Sequence, residues 1–279
     1  MESLAQELID AIIEEVYLSS QFARSMPLNL RATSLVCRSW LPTSQRLLFQ
    51  SVDLTHLQPR NLQQLYGALL ESPHLADYIK RLSVVSSLAV PPSSGIIPFL
   101  LRLNKVEHIT FIISEDGLTL WNDKDLDFKQ AIVRIFQLPT LRGVDISGEF
   151  VEFNELKSLL RHARFLSSIS LVIYFYPLTF EEEVAGQQEV AWQQEDEAQL
   201  ERFDLEKSEH LSDLYSVRFS TPIFIPWLLG QRSHFTVENI HTLSIWSIRH
   251  REDGESIQRL LHAIGTPLKT LSFCMYSGK

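Results

Sequence analysis

The feature that most constrains this chain is a short apolar pattern that recurs at nearly regular intervals. The pattern is apolar-x-x-apolar-x-apolar, and its eight copies are centred on Val52, Leu82, Ile109, Val144, Ile169, Val217, Leu243 and Leu271. Successive centres lie 30, 27, 35, 25, 48, 26 and 28 residues apart. Most of these intervals are close to the length of a repeat that contains one short strand and one helix, about 20 to 29 residues. The spacing therefore predicts a stack of strand-helix units.

The stretches between these copies have the spacing of amphipathic helices. Apolar residues fall three or four positions apart at 62–70, 128–136 and 257–264, and a further stretch at 153–163 does the same. Pro59, Asp125 and Glu255 precede or open three of these stretches. Proline costs no hydrogen bond at such a position, and an acid there meets the helix dipole favourably. We therefore expect helices to connect the strands.

The alternation within each strand divides its side chains between two faces. Apolar residues point to one face, and the residues between them point to the other. One strand-helix unit cannot bury its apolar face alone, so the units are expected to stack into a solenoid with one curved parallel sheet. The predicted fold class is therefore α/β. The second strand face is predicted to be a polar binding surface, with the candidate residues Arg81, His108, Asp145, Ser168, Arg218 and Thr242.

The negative charge of the chain is concentrated in one segment. Eleven acidic and two basic residues lie within 181–209, and this local charge of −9 equals the net charge of the whole chain. Clustered carboxylates repel one another and cannot be buried, so we expect a solvated acidic insertion in the 48-residue interval, or an acidic arm that docks on a partner. The chain lacks the basic balance of a general phosphate-backbone binder, so we expect no nucleic-acid partner.

Motifs of catalysis, metal binding and membrane insertion are absent from the sequence. It contains no His-Glu-x-x-His, Cys-x-x-Cys or Gly-x-Ser-x-Gly motif, and only two cysteines. We predict that the protein is not an enzyme and binds no metal or cofactor, and that Cys37 is buried. No apolar run approaches the ~20 residues of a membrane span, and no secretory signal is recognisable. A cytoplasmic or nuclear location without membrane contact is expected.

The first fifty residues depart from the repeat pattern and indicate a small helical module. A broad apolar stripe predicts a first helix, Asn29 is expected to cap a second helix that extends to Trp40, and Pro42 is expected to open a third. The stripe is wider than one neighbouring helix can cover. The predicted organisation is a helical module at 1–50 followed by strand-helix repeats at 51–279.

Two blocks within this module resemble the F-box of proteins abundant in mushroom-forming fungi. The first block is Leu-Ala-Gln-Glu-Leu-Ile at residues 4–9, with Ala5 where the family has proline. The second is Leu-Val-Cys-Arg-Ser-Trp at residues 35–40, which matches the block that closes the second helix of the motif. Many F-box proteins continue into leucine-rich repeats. The repeats here lack the usual asparagine after the strand, so the resemblance is to a degenerate form.

The resemblance implies a substrate-recruiting adaptor of a cullin-type ubiquitin ligase. The F-box would dock on a Skp-type linker protein, which joins the cullin, while the repeats would bind a protein substrate. By the resemblance, the expected linker contacts are Leu4, Glu7, Leu8, Ile12, Leu30, Leu35, Val36 and Trp40. The alternative is a leucine-rich-repeat scaffold that binds protein partners without a ubiquitin ligase, its first helices being the cap of the solenoid.

Overall fold

A computed structural model of the protein describes most of the chain. The described residues are 5–20, 26–55, 58–85, 95–113, 125–150, 153–175, 211–217, 221–230, 233, 235–248 and 251–275. The predicted acidic insertion at 181–209 lies outside these residues, and so do Leu4 and Arg218.

Eight strands form a single sheet in which every pair of neighbours is parallel and the strands follow one another in chain order. The strands are β1 (Ser51–Asp53), β2 (Arg81–Val85), β3 (His108–Ile112), β4 (Gly143–Phe150), β5 (Ser168–Phe175), β6 (Asp213–Val217), β7 (Thr242–Ile248) and β8 (Thr270–Met275). The sheet is not closed, so β1 and β8 are its edges in the described chain. The predicted α/β class with a parallel sheet is confirmed.

Helices precede the sheet and connect most of its strands. They are α1 (Gln6–Ser20), α2 (Met26–Ser34), α3 (Leu41–Phe49), α4 (Pro59–Glu71), α5 (Ile96–Arg102), α6 (Leu126–Phe136), α7 (Phe153–Arg161), α8 (Thr221–Leu229) and α9 (Arg251–Ile264). Two short 3-10 helices lie at Pro73–Tyr78 and Val237–Asn239. The four helices predicted between strands are α4, α6, α7 and α9, and all four are confirmed.

The predicted helix starts are confirmed at two of three positions. Pro59 is the first residue of α4. Asp125 caps α6, and its carboxylate accepts a hydrogen bond from the amide of Asp127 at 3.0 Å. Glu255 was the wrong start, because α9 begins four residues earlier, at Arg251.

The central apolar residue of each unit forms one row across the sheet. Its members are aligned by the register as Val52, Leu82, Ile109, Val144, Ile169, Leu214, Leu243 and Leu271. The first seven are buried, which confirms that this strand face packs into the core. Leu271 is 41% exposed, because β8 has a neighbouring strand on one side only in the described chain.

The sixth unit is three residues out of the frame that the sequence pattern predicted. Leu214, rather than Val217, aligns with the neighbouring central residues Ile169 and Leu243. The preceding apolar position is Leu211, which is fully buried. The pattern missed this frame because Ser216 stands at its third apolar position. A register shift between Leu214 and Val217 places one extra residue in β6 relative to β7.

The three helices before β1 have their own small core. It contains Ile9, Ile13, Leu30 and Leu47, with Tyr17, Trp40 and Leu48 packed against it. The larger core runs separately through the strand-helix units, from Val52 to Ile264. Helix α3 contacts the 3-10 helix at 73–78 and strand β1, and so joins the three helices to the first unit. The domain boundary at residue 50 stays a prediction.

The second helix ends earlier than the sequence pattern predicted. It begins at Met26 rather than after Asn29, and it ends at Ser34. The Ser34 hydroxyl donates to the carbonyl of Arg31, which the amide of Leu35 would use in a longer helix, and that amide instead donates to the carbonyl of Ala32. Leu35 and Val36 therefore lie in a turn between α2 and α3.

Candidate functional site

Large apolar side chains are exposed mainly on the three N-terminal helices and their connections. The described chain exposes eleven such side chains, and six of them lie within residues 8–41. We call these six the apolar helical surface: Leu8, Ile12, Leu18, Leu35, Val36 and Leu41. Leu35 is 84% exposed and Val36 is 60% exposed. Apolar side chains concentrated in this way are typical of a surface that another protein covers.

The apolar helical surface follows from how the three helices share the small core. Ile9 and Ile13 of α1 fill that core, which leaves Leu8 and Ile12 on the flank of the same helix. The turn after α2 holds Leu35 and Val36 outside the core. The side-chain amide of Gln6 donates to the carbonyl of Ser39 at 3.0 Å, so the start of α1 lies beside the connection that carries these two residues.

Polar contacts fix the helices of this module relative to one another. The Thr43 hydroxyl donates to the Asp10 carboxylate at 2.5 Å and joins α3 to α1. This hydrogen bond, followed by one from Gln6, lowers the pKa of Asp10. Glu14 and Arg46 form an ion pair at 2.7 Å between the same helices. These contacts hold α1 against α3 in the module that carries the apolar helical surface.

The predicted linker contacts differ in their exposure. Glu7, Leu8, Ile12, Leu35 and Val36 are exposed, so their side chains are accessible to a partner. Leu30 has no exposed surface, because it fills the centre of the small core, so its side chain is not accessible in this conformation. The set of linker contacts stays a prediction.

Two residues of the block at 35–40 differ in how they are placed. Trp40 is partly buried and packs against the small core, which leaves part of its ring accessible. Cys37 is exposed, which corrects the expectation that it is buried, because it lies in the segment that follows the early end of α2. The hydrogen bond between its thiol and the Ser39 hydroxyl, 3.0 Å long, lowers the pKa of the thiol.

A second candidate site is the polar face of the sheet, which we call the strand face. It consists of the outward residues on either side of the central apolar row. Its first row runs through Arg81, His108, Gly143, Ser168, Asp213, Thr242 and Thr270, which are aligned on neighbouring strands. Its second row runs through Asp53, Ser83, Thr110, Asp145 and Ser170.

The predicted residues of the strand face lie on neighbouring strands of one surface. Arg81 is exposed, and His108, Asp145, Ser168 and Thr242 are partly exposed. Because Arg218 lies outside the described residues, nothing places it on this surface. The register instead puts Asp213 between Ser168 and Thr242, which follows from the corrected frame of the sixth unit.

The side chain of His108 is held over Gly143 on the neighbouring strand. A Cβ atom built at Gly143 would lie 2.1 Å from Cδ2 of the His108 ring, so glycine leaves the space that the ring occupies. The His108 Nε2 lies 3.8 Å from the Asp145 carboxylate, and Thr110 also reaches this carboxylate at 3.4 Å. The Asp145 carboxylate of β4 thus connects the side chains of His108 and Thr110 on β3.

An open cleft of about 230 Å³ lies where the first five strands begin. We call it the amino-edge cleft. Its lining residues are Gln50, Lys80, Arg81, Glu107, His108, Arg142, Gly143, Ser167 and Ser168. The Lys80 ammonium and the Glu107 carboxylate form an ion pair at 2.7 Å within it. The cleft therefore combines the first row of the strand face with the residue that precedes each strand.

The residues immediately before the strands were missed by sequence reasoning. Lys80, Glu107 and Arg142 occupy the first of the two unspecified positions in the repeated pattern. The candidate residues predicted for the strand face lie directly beside the central apolar residue, one position further along the chain or one position before it. The repeated pattern could have located these residues, because each of them occupies the same position of its unit.

Within the described residues, no group of three or more His, Cys, Asp and Glu side chains is arranged to hold a metal ion. None of the described helices is long and apolar enough to cross a membrane.

Comparison with known proteins finds no family model and no curated protein that matches this chain. The apolar helical surface, the strand face and the amino-edge cleft therefore have to be interpreted from their own chemistry.

Proposed function

We propose that this chain is a substrate-recruiting adaptor of a cullin-type ubiquitin ligase. In this proposal the first fifty residues are an F-box-like module that docks on a Skp-type linker protein. The strand-helix units are an irregular leucine-rich-repeat solenoid whose strand face binds a protein substrate. The chain itself performs no chemistry, because other subunits transfer ubiquitin.

The observation that carries the proposal is the concentration of exposed apolar side chains on the N-terminal helices. Burying one leucine side chain contributes about 1.5–3 kcal/mol, so two or three such residues supply the centre of a stable interface. Leu35 and Val36, which open the second block of the F-box resemblance, are among the most exposed of these side chains. The separate small core supports a docking role, because a partner can cover this surface without disturbing the larger core.

The strand face supports the second half of the proposal. Its two rows offer hydroxyl, carboxylate, imidazole and guanidinium groups at the spacing of neighbouring strands, about 4.8 Å. Hydrogen-bonding groups fixed on a rigid sheet give a protein interface its orientation and specificity. The strand face and the apolar helical surface belong to different elements, so linker and substrate can bind at separate places.

The test is direct binding of the purified chain to a purified Skp-type linker, measured by calorimetry. Leu35→Asp and Leu8→Asp are each expected to weaken binding by roughly thirtyfold or more, since each puts a charge into an apolar contact worth about 2 kcal/mol. Both side chains are exposed, so the free variants are expected to fold normally. Leu126→Asp is the matched control, because Leu126 is 65% exposed at the first residue of α6.

Two outcomes would contradict the proposal. If the unmodified chain does not bind the linker, the adaptor role is wrong, and the scaffold without a ubiquitin ligase becomes the better interpretation. If Leu35→Asp and Leu8→Asp bind as tightly as Leu126→Asp, the linker uses another surface, and the argument from the apolar helical surface fails.

A further inference from the structure

The geometry points to the amino-edge cleft as a binding site for an oxyanion, that is, a phosphate or carboxylate group carried by a ligand. The inference rests on the charges, the fixed side chains and the size of the cleft. The cleft shares Arg81, His108 and Ser168 with the strand face. The inference does not depend on linker binding, because none of the lining residues belongs to the apolar helical surface.

The charge of the cleft is opposite to that of the chain. Lys80, Arg81 and Arg142 contribute three positive charges to its lining, and Glu107 contributes the one negative charge. Glu107 is paired with Lys80 at 2.7 Å, which leaves two arginines without a carboxylate partner among the described residues. The whole chain carries a net charge of −9. Cations close together repel one another, and a bound anion relieves that repulsion.

Arg142 is fixed in place without losing its charge. Its Nη1 donates to the carbonyl oxygens of Pro139 at 2.8 Å, Leu141 at 3.3 Å and Phe165 at 3.3 Å. The guanidinium also lies over the ring of Phe165, 5.7 Å from its centre. Carbonyl oxygens and an aromatic ring orient a guanidinium but do not neutralise it. Fixed guanidinium groups are well suited to carboxylate and phosphate oxygens.

Side chains, rather than main-chain amides, would recognise the anion. The amides of Lys80 and Arg81 both donate to the carbonyl of Gln50, and the amides of Arg142 and Gly143 both donate to the carbonyl of Glu107. The same double contact recurs up to β8. Main-chain donors at this edge are therefore already used. The recognition groups are the arginines together with Ser168 and His108, whose ring lies in the space above Gly143.

The size of the cleft selects a chemical group rather than a whole small molecule. Sites for complete small ligands have volumes of about 300–1,000 Å³. The volume here is about 230 Å³, the cleft is open, and Arg81, His108, Gly143 and Ser168 in its lining also belong to the strand face. A phosphate or carboxylate group can enter it while the rest of its carrier extends across neighbouring outward residues.

The test is a titration of the isotope-labelled full chain with inorganic phosphate at neutral pH and low salt. Binding is measured from the amide chemical shifts by NMR. Saturable shifts are expected at His108, Gly143 and Ser168. Arg81→Gln is expected to weaken phosphate binding roughly tenfold, the contribution of one hydrogen bond to a charged group. Glu107→Gln is expected to tighten binding by roughly two- to fivefold, because it releases Lys80 from an exposed ion pair. Arg259→Gln, which removes an exposed arginine of α9, is expected to leave the affinity unchanged.

A parallel titration with acetate identifies the class of oxyanion. Stronger binding of phosphate assigns the cleft to phosphorylated ligands, and stronger or equal binding of acetate assigns it to carboxylates. The inference is overturned if neither anion gives saturable shifts in the cleft, or if Arg81→Gln and Arg259→Gln weaken binding equally. Arg81 is exposed, so loss of folding does not complicate this comparison. Linker binding is measured separately, and either result can fail while the other stands.

Discussion

Gly148 is a position at which one added methyl group should destabilise the fold strongly. It lies in β4 with φ at +128°, in a region of backbone conformation that residues with a Cβ atom rarely adopt. A Cβ atom at this position would lie 2.1 Å from the carbonyl oxygen of Ile113 and 2.8 Å from its carbonyl carbon. These are main-chain atoms of the neighbouring strand segment, so a change of side-chain rotamer cannot relieve the clash.

The cost of Gly148→Ala can be estimated from two contributions. Forcing alanine into this backbone region costs about 1–3 kcal/mol. Moving Ile113 away breaks its amide hydrogen bond to the Ser147 carbonyl, now 2.7 Å long, at a cost of about 1 kcal/mol. We therefore expect a loss of about 3 kcal/mol. For a chain of this size, that loss lowers the melting temperature by roughly 6–12 °C.

Thermal and urea denaturation of the purified chain, followed by circular dichroism, measure this effect. Gly67→Ala is the matched control, because Gly67 lies inside α4 and a Cβ atom built there meets no atom within 4 Å. Alanine is a better helix former than glycine by about 1 kcal/mol, so this variant is expected to raise the melting temperature. If both substitutions shift the melting temperature by the same amount, or Gly148→Ala has no effect, the close approach of β4 to Ile113 is wrong.

Three further predictions concern ionisable groups. Thr43→Val removes the main cause of the lowered pKa of Asp10, so the pKa should rise towards its ordinary value of 3.8 in a carboxyl NMR titration. Burial lowers the pKa of His162 below its ordinary value of 6.5, so the unfolded chain binds a proton more readily there. The free energy of unfolding should therefore fall as the pH drops through 6.5. The denaturation midpoint of His162→Gln should fall less over the same pH range than that of the unmodified chain. At neutral pH, Cys37 of the unmodified chain should be alkylated faster than Cys37 of the Ser39→Ala variant, because the hydrogen bond with Ser39 favours the thiolate.

The buried half of the fold was predictable because packing imposes a strict pattern on it. Each strand must place two or three apolar side chains on the same face, and the preceding apolar residue must close the turn into the strand. Ile79, Val106, Leu141 and Leu166 occupy that preceding position and are all buried. Seven of eight repeat frames therefore agree with the register of the sheet. The helical spacing was equally informative, since it located α4, α6, α7 and α9.

The errors arose where apolar character does not determine position. Leu211, Leu214 and Val217 are spaced three residues apart, so the repeated pattern could begin at Leu211 or at Leu214. The frame that begins at Leu211 has a serine at its third apolar position, so the pattern favoured the wrong frame. Leu35 and Val36 extended the apolar spacing of α2, although the helix stops at Ser34. The sequence does not distinguish Leu30, which is buried, from Leu35, which is exposed, because a docking surface and a core use the same residue types.

The amino-edge cleft was not predictable because it depends on contacts between units. Lys80 and Glu107 are 27 positions apart in the sequence, yet the register of β2 and β3 brings them within 2.7 Å. An irregular repeat length hides such pairs from any fixed spacing rule. Once the frame of each unit is known, however, the alignment of the positions before the strands follows directly.

The longest connection in the sheet explains why an acidic segment can be carried without disturbing the stack. Ile169 and Leu214 are 45 residues apart and still occupy matching positions on adjacent strands, as do Leu214 and Leu243 at 29 residues. In loop-closure entropy alone, this difference in length corresponds to about 0.4 kcal/mol. Burial of Leu211 and Leu214 contributes several times that amount. Because each strand packs mainly on its neighbours, a longer connection between two strands need not change the contacts between them.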